Sequence, residues 1–86
     1  MELTREQQRQ FAKEFVPLLE QTTDPEVLGQ LHKIAALVLE WSGFKDNGMA
    51  FSVSEYSFEL TEVAKGKKDT GWIEQSKRAI QQELGD

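Results

Sequence analysis

Apolar side chains recur every three or four residues through the segment 24–43, the longest apolar periodic segment of the chain. They lie on one face of a predicted helix: Val27, Leu28, Leu31, Ile34, Ala35, Val38 and Trp41. Leu37 and Leu39 widen this face until it covers about half of the helix circumference. The pattern predicts a helix over residues 24–42, around which we expect the fold to be organised. Several neighbouring helices, or a second chain, must cover it.

An earlier periodic segment predicts a helix over residues 5–21. Its apolar face consists of Phe11, Phe15, Leu18 and Leu19. Thr4 and Gln7 form a capping-box pattern at its start, in which each side chain satisfies a backbone donor. Pro17 lies inside this helix. Because proline removes a backbone hydrogen bond and clashes with the preceding turn, we expect a kink there.

Two overlapping signals start the helix at residues 24–42. Thr23 and Glu26 form a capping box, whereas Asp24 as the cap would place Pro25 at the first helical position. Gly43 is suited to end the helix because it tolerates a left-handed conformation. The loop between the first two helices is therefore very short, and we expect these helices to pack antiparallel.

Residues 49–62 carry an alternating pattern that is typical of a short β-element. One phase contains Tyr56, Phe58 and Leu60, and the opposite phase contains Met49, Phe51 and Val53. One continuous strand would need a bulge near Ser54 to join the two phases. An α+β architecture with a β-element at 49–62 is therefore the alternative to an all-α fold.

The same stretch also carries start, face and end signals of a helix, and these signals agree. Ser52 and Glu55 form a capping box, while Phe51 and Tyr56 occupy the positions of a hydrophobic staple. Gly66 follows the last apolar residues of the face as a terminator. We therefore favour a helix over residues 53–65. Such a helix could complete the burial of residues 24–43 within one chain.

A last helix is predicted over residues 70–84. Asp69 or Thr70 is its cap and Gly85 closes it. Its predicted inner face consists of Trp72, Ile73, Ser76, Ala79, Ile80 and Leu84. With 86 residues in all, the chain is expected to form a single domain over residues 1–86. The fold predicted is all-α, a small four-helix bundle.

Composition acts mainly by excluding classes of protein. The chain has no cysteine, so disulfides and thiolate metal sites are excluded. The polar N-terminus is unlike a signal peptide, and the longest apolar run, 34–39, is too short to span a bilayer. We therefore expect a cytoplasmic protein with no membrane association. The net charge of −5 disfavours nucleic acid as a partner.

The chain carries few candidate catalytic groups. His32 is the only histidine, which excludes a metal site built from several histidines of one chain. We expect this ring to be partly buried with a bonded nitrogen. The glycines do not form a phosphate-binding loop. We therefore expect no enzyme, no catalytic residues, no cofactor and no metal.

An acidic and aromatic surface is the strongest indication of function. Glu55, Glu59 and Glu62 lie on the outer face of the predicted third helix, and Phe58 would be exposed beside them. Phe44 flanks the preceding loop. Aromatic anchors beside a charged rim are typical of protein-binding surfaces. The sequence therefore predicts an inhibitor, antitoxin, immunity or adaptor type of regulatory module, which occludes the basic surface of a partner protein.

Two alternative functions remain open. A concentration of basic residues near the last turn is similar in layout to a helix-turn-helix, which would make the chain a DNA-binding regulator. The candidate nucleic-acid contacts are Lys65, Lys67, Lys68, Lys77 and Arg78. The second alternative is a structural homo-oligomer, a homodimer formed through the helix at 24–43. It becomes the better explanation if residues 49–63 do not cover that helix.

Overall fold

The computed structural model describes residues 3–43 and 48–85. These residues form four helices: α1 (Arg5–Glu20), α2 (Pro25–Trp41), α3 (Met49–Ala64) and α4 (Trp72–Glu83). The described ranges contain no β-strand. The predicted all-α four-helix architecture is therefore confirmed, and the α+β alternative is wrong. In the same ranges, no helix combines the length and apolarity needed to cross a membrane.

Helix α3 is the centre of the fold. The extensive helix–helix contacts all involve α3, which packs on α2, on α4 and on α1. The core consists of Met49, Val53 and Tyr56 from α3, Ala12, Phe15 and Leu19 from α1, Leu28 and Ala35 from α2, and Ile80 from α4. The expectation that residues 24–43 organise the fold is therefore wrong. The antiparallel packing of α1 along α2 is also absent from these contacts.

Small polar residues allow α3 to take this central position. Ser57 is fully buried, and Thr61 is nearly so. Their hydroxyl groups donate within the helix, from Ser57 to the Ser54 carbonyl at 2.8 Å and from Thr61 to the Ser57 carbonyl at 2.7 Å. Because these hydroxyls are satisfied locally, they are buried without an unpaired polar group. Burial of small side chains lets a neighbouring helix approach closely.

Helix α1 starts as the sequence predicts. The Gln7 N–H donates to the Thr4 hydroxyl at 3.1 Å, and the Thr4 N–H donates to the Gln7 side chain at 2.9 Å. The helix continues through Pro17 to Glu20, and the kink expected there stays a prediction. Leu18 is half-exposed, so it does not belong to the core face on which the sequence placed it.

Helix α2 uses the second of its two start signals. Asp24 is the cap, its carboxylate accepting the Glu26 N–H at 2.9 Å, and Pro25 takes the first helical position. Gly43 follows the last turn with a φ of 84°, as its left-handed tolerance predicts.

Helix α3 begins at Met49, four residues before the predicted start at 53. The predicted capping box and staple at Ser52 are wrong, because Ser52 lies within the helix and donates its N–H to the Gly48 carbonyl at 3.2 Å. Gly48 supplies no side-chain cap. Instead, the buried Gln8 of α1 accepts the Ala50 N–H at 3.2 Å. The start of α3 is therefore capped by a side chain of α1, whereas the local sequence signals placed the helix start about one turn too late.

Helix α4 begins at Trp72, two residues after the predicted start at 70. Asp69 does not cap the helix but closes the turn before it, accepting the Gly71 N–H at 2.8 Å. Gly71, the residue immediately before the helix, has a φ of 92°. Ile80 is buried and Ile73 and Leu84 pack against the core, as predicted. The inward placement of Trp72 and Ala79 is wrong, because both are exposed.

Candidate functional site

Five side chains form a continuous surface on the side of α3 that faces away from the core. This aromatic–acidic face consists of Phe51, Glu55, Phe58, Glu59 and Glu62. At 3.6 residues per turn, they occupy about 100° of the helix circumference. Phe58 is exposed, whereas Phe51 and the three glutamates are partly buried; the role of Phe58 and the glutamates as partner contacts stays a prediction. Phe44, the remaining predicted contact, lies outside the described residues.

A groove of about 420 Å³ runs between this face and α4. The residues that line it are Phe51, Ser52, Glu55 and Glu59 from α3, and Trp72, Gln75, Ser76 and Ala79 from α4. Trp72 is 55% exposed, which makes it one of the two most exposed large apolar side chains described. The groove therefore combines aromatic surface with two carboxylates.

Sequence reasoning missed Phe51 and Trp72 as members of this site. The sequence pattern assigns Phe51 to a hydrophobic staple and Trp72 to the inner face of the last helix. The available signal for Trp72 was the spacing of Ile73, Ile80 and Leu84, which defines the centre of the buried α4 face. Trp72 lies about 100° to one side of that centre. The groove itself forms only where two helices meet.

His32 supports the base of the aromatic–acidic face. Its ring centroid lies 5.6 Å from that of Phe58, and its Nδ1 lies 2.8 Å from the Ser57 hydroxyl oxygen. Because that hydroxyl donates its only proton to the Ser54 carbonyl, Nδ1 is the donor to Ser57. His32 is thus half-buried with a bonded nitrogen, as predicted.

The pairing of His32 with Ser57 does not form a nucleophilic site. Ser57 has no solvent-accessible surface, so its hydroxyl cannot reach a substrate. A catalytic serine also needs to donate its proton to the histidine, whereas the Ser57 proton is directed to a backbone carbonyl. Nor do residues 3–43 and 48–85 bring together three or more carboxylate or histidine side chains that could hold a metal ion.

The Glu62 carboxylate forms ion pairs with lysines of the turn that follows α3. Its carboxylate lies 2.6 Å from the Lys67 ammonium and 3.6 Å from that of Lys65. The hydrogen bond from Lys67 lowers the pKa of Glu62, and the same bond raises the pKa of Lys67. Glu55 and Glu59 are the carboxylates that line the groove. These two, rather than Glu62, face an occupant of the groove.

The basic residues proposed as nucleic-acid contacts are mostly paired with carboxylates. Besides Lys65 and Lys67, Lys77 lies 2.7 Å from Glu20 and Arg78 lies 3.4 Å from Glu74. Within residues 3–43 and 48–85, four of the five candidates are therefore partly neutralised by the chain itself, and Lys68 is the one without such a pair. Carboxylates interleaved with the cations would also repel phosphates. The turn does not present a concentrated basic patch.

A second exposed apolar surface lies on α2. This α2 stripe consists of Val27, Ile34, Leu37 and Trp41, which are 44%, 47%, 49% and 55% exposed. The expectation that a helix at 49–63 would complete the burial of α2 is wrong, because α3 covers only the side that carries Leu28, Ala35 and Val38.

Comparisons with protein-family models, with curated proteins and with solved structures find no match to this chain.

Proposed function

We propose that this chain is a small regulatory module that binds a basic, amphipathic segment of a partner protein in the groove between α3 and α4. The observation that carries the proposal is the exposure of Trp72 beside Glu55 and Glu59. Bound there, the chain occludes the basic surface of its partner. An inhibitor, an antitoxin, an immunity protein or an adaptor acts in this way.

The groove offers two kinds of interaction to such a segment. Trp72 and Phe51 supply apolar anchor surface, and tryptophan is among the residues that most often dominate binding energy. Glu55 and Glu59 supply carboxylates that form charge-assisted hydrogen bonds with lysine or arginine. The volume of about 420 Å³ accommodates a few side chains rather than a folded domain. The chemistry therefore favours one apolar anchor flanked by basic residues.

The test uses Trp72 as its own reporter. In a Trp41→Phe background Trp72 is the only tryptophan, since the chain has two. We expect its fluorescence to change when a basic amphipathic helical peptide is added, and the apparent affinity to fall as salt is raised. A peptide with the same apolar residues but glutamate in place of lysine is the matched ligand control. An equal response to the acidic peptide contradicts the proposal.

Substitutions on the protein test the same surface. By calorimetry with the basic peptide, Trp72→Ala is expected to weaken binding about 10- to 30-fold, the effect of losing a binding hot spot. Trp41→Ala is the matched control because Trp41 has the same exposed fraction on a different helix. Glu55→Lys with Glu59→Lys is compared with Glu6→Lys with Glu14→Lys on α1. Equal effects of the paired variants would refute the groove as the binding site.

Self-association through α2 is a second proposal, and it is supported by a different observation. Four large apolar side chains of one helix are each about half-exposed along a single stripe. Contiguous apolar surface of this kind is typical of an interface between chains. The stripe and the groove use different residues, so the two proposals do not compete. A concentration series in light scattering tests self-association, and a monomer throughout would contradict it.

A further inference from the structure

We propose that α2 pairs with α2 of a second copy of this chain in an antiparallel arrangement with one defined register. The proposal rests on the self-association proposed above and adds its geometry. The occupant of the α2 stripe is thus a second copy of the same stripe. Such a pair is related by a two-fold axis, which closes the assembly at two chains.

The spacing of the exposed residues is that of a helix–helix seam. Val27, Ile34 and Trp41 follow one another at intervals of seven. Gln30 and Leu37 follow the first two of them at intervals of three, and Gln30 is exposed as well. Positions a and d of a heptad have this spacing, and their side chains interdigitate with those of a facing helix. Four of the five positions are apolar and none faces the core of its own chain.

Two antiparallel registers match this seam to itself over four layers, one with the two-fold axis at residue 32 and one with the axis between residues 35 and 36. With the two-fold axis between residues 35 and 36, Ile34 lies level with the partner's Leu37, and Gln30 lies level with the partner's Trp41. The axis repeats each pair, so the seam has four mixed layers. The Gln30 amide oxygen can then accept the indole N–H of the partner's Trp41, which satisfies the one polar residue of the seam.

Charges beside the seam favour this register. Lys33 and Glu40 flank the seam on the same side, and both are exposed. With the axis placed between residues 35 and 36, each Lys33 lies within about 3 Å of axial rise of the partner's Glu40, and the pair occurs twice. With the axis at residue 32, each Lys33 would instead lie within about 3 Å of axial rise of the partner's Lys33, so the charges select the register with the axis between residues 35 and 36.

A parallel arrangement lacks these pairs. In a parallel pair, the residues that meet Lys33 and Glu40 occupy the opposite flank, where this chain has Leu31 and Val38. Val38 is buried and Leu31 packs against the core of its own chain. A parallel pair would therefore place charges against apolar side chains that are already in use.

Sedimentation velocity over a concentration series provides the first measurement. We expect the mass to rise from 9.8 kDa towards twice that value in the micromolar range, because the seam is short. Ile34→Glu should leave the protein monomeric and still helical, since Ile34 is 47% exposed and contributes little to the core. Leu18→Glu is the matched control, because Leu18 is 48% exposed on a different helix, and this variant should still dimerise.

Charge exchange tests the register. Lys33→Glu and Glu40→Lys each place like charges together and should weaken dimerisation about tenfold, whereas the double variant restores opposite charges and should recover the wild-type affinity. If each single variant weakens dimerisation but the double variant does not restore it, the register is wrong and self-association still holds. A strict monomer at all concentrations overturns both. Neither result bears on peptide binding at Trp72.

Crosslinking distinguishes the two directions independently. The chain has no cysteine, so Val27→Cys introduces a single thiol. In the proposed register the two thiols lie about 25 Å apart along the axis and cannot form a disulfide. In a parallel pair they are adjacent. Efficient disulfide formation by Val27→Cys in the dimer therefore overturns the antiparallel proposal, whereas its absence, together with charge-exchange rescue, supports it.

Discussion

Single side chains complete hydrogen bonding at helix ends that the helices cannot complete for themselves. Gln8 of α1 accepts the Ala50 N–H at the start of α3, from 42 positions away. Arg9 of α1 donates to the Leu84 carbonyl at 3.0 Å and also to that of Glu83, at the end of α4. One turn of α1 therefore caps two other helices. Because backbone groups left unpaired are costly, these side chains link the helices as well as capping them.

The first prediction concerns Gln8. Gln8→Ala should lower the free energy of unfolding by about 1–3 kcal/mol, since it leaves the buried Ala50 N–H without its acceptor. Urea denaturation followed by circular dichroism measures the change. Gln10→Ala, at an exposed position of the same helix, is the control and should change stability by less than about 0.5 kcal/mol. Equal effects at both positions would show that the cap contributes nothing.

A hydrogen-bonded chain joins three helices at Tyr56. The Tyr56 hydroxyl donates to the Glu20 carboxylate at 3.1 Å, and the Lys77 ammonium lies 2.7 Å from the same oxygen. Burial, and then the hydrogen bond to Glu20, raise the pKa of Tyr56 well above its ordinary value. The hydrogen bond from Lys77 lowers the pKa of Glu20. The folded state thus favours a neutral tyrosine beside an ion pair.

The second prediction is a loss of stability at alkaline pH. Since the folded state holds the Tyr56 proton more tightly than the unfolded state, its stabilising contribution is complete below pH 10.0 and is lost as the pH rises further. Tyr56 is the only tyrosine, so tyrosinate absorbance reports it alone. We expect ionisation to coincide with loss of helical circular dichroism. Tyr56→Phe should show a weaker fall in stability above pH 10.0. Ionisation near pH 10.0 in an intact fold would contradict this.

The sequence predicts where the helices end more accurately than where α3 and α4 start. Gly43, Gly66 and Gly85 follow the ends of α2, α3 and α4 with positive φ, as predicted. After Gly66, the Lys67 N–H donates back to the Glu62 carbonyl at 3.1 Å, which completes the end of the helix. The starts of α3 and α4 were misplaced because their N-cap residues are glycines without side-chain caps. A glycine that ends a helix can be recognised from the residues beside it, whereas a cap supplied by another helix cannot.

The third prediction contrasts two glycines. Gly66→Ala should destabilise the protein by about 1 kcal/mol, since alanine is strained at a φ of 106°. Gly29→Ala, within α2, should stabilise it by about 0.5–1 kcal/mol because alanine is the better helix former. An added Cβ meets no atom within 4 Å at either position, so backbone conformation alone sets the sign. Thermal unfolding measures both, and changes of the same sign would contradict the explanation.

At the scale of the whole molecule, the position of α3 determines which surfaces remain exposed. Because α1, α2 and α4 each pack mainly on α3, none of them is fully enclosed. The α2 stripe lies on one side of α2, while His32, about 160° around that helix from Ile34, contacts Phe58 of α3. The stripe and the aromatic–acidic face are therefore on different sides of the molecule.

The fourth prediction is that the two surfaces act independently. Ile34→Glu should abolish dimerisation without changing affinity for the basic peptide, and Trp72→Ala should weaken peptide binding without changing the mass in solution. Substitutions that share no contacts have additive effects, so the double variant should show both changes at their single-variant size. A change of more than about threefold in either property by the other substitution would indicate that the surfaces are coupled.

The sequence by itself determined the four helices, three glycine ends, the Thr4 capping box, and the placement of Phe58 on the same side of its helix as Glu55, Glu59 and Glu62. These features follow from periodicity and from backbone chemistry within a few residues, so they are present in the local pattern. It did not locate the groove, since that requires α4 to lie beside α3. The misplacement of Trp72 has a separate, local cause, because its offset of about 100° from the face of Ile73, Ile80 and Leu84 is already present in the sequence.

Only the tertiary structure decided which helix is central and which apolar residues stay exposed. Helix α2 carries the widest apolar arc, yet it is covered mainly on one side. Helix α3 is enclosed by three neighbours although it buries Ser54, Ser57 and Thr61. Hydropathy does not reveal this because hydroxyls bonded within their own helix can be buried, whereas apolar residues remain exposed wherever no neighbour packs on them. Burial depends on the number of neighbours, and only the assembled fold sets that number.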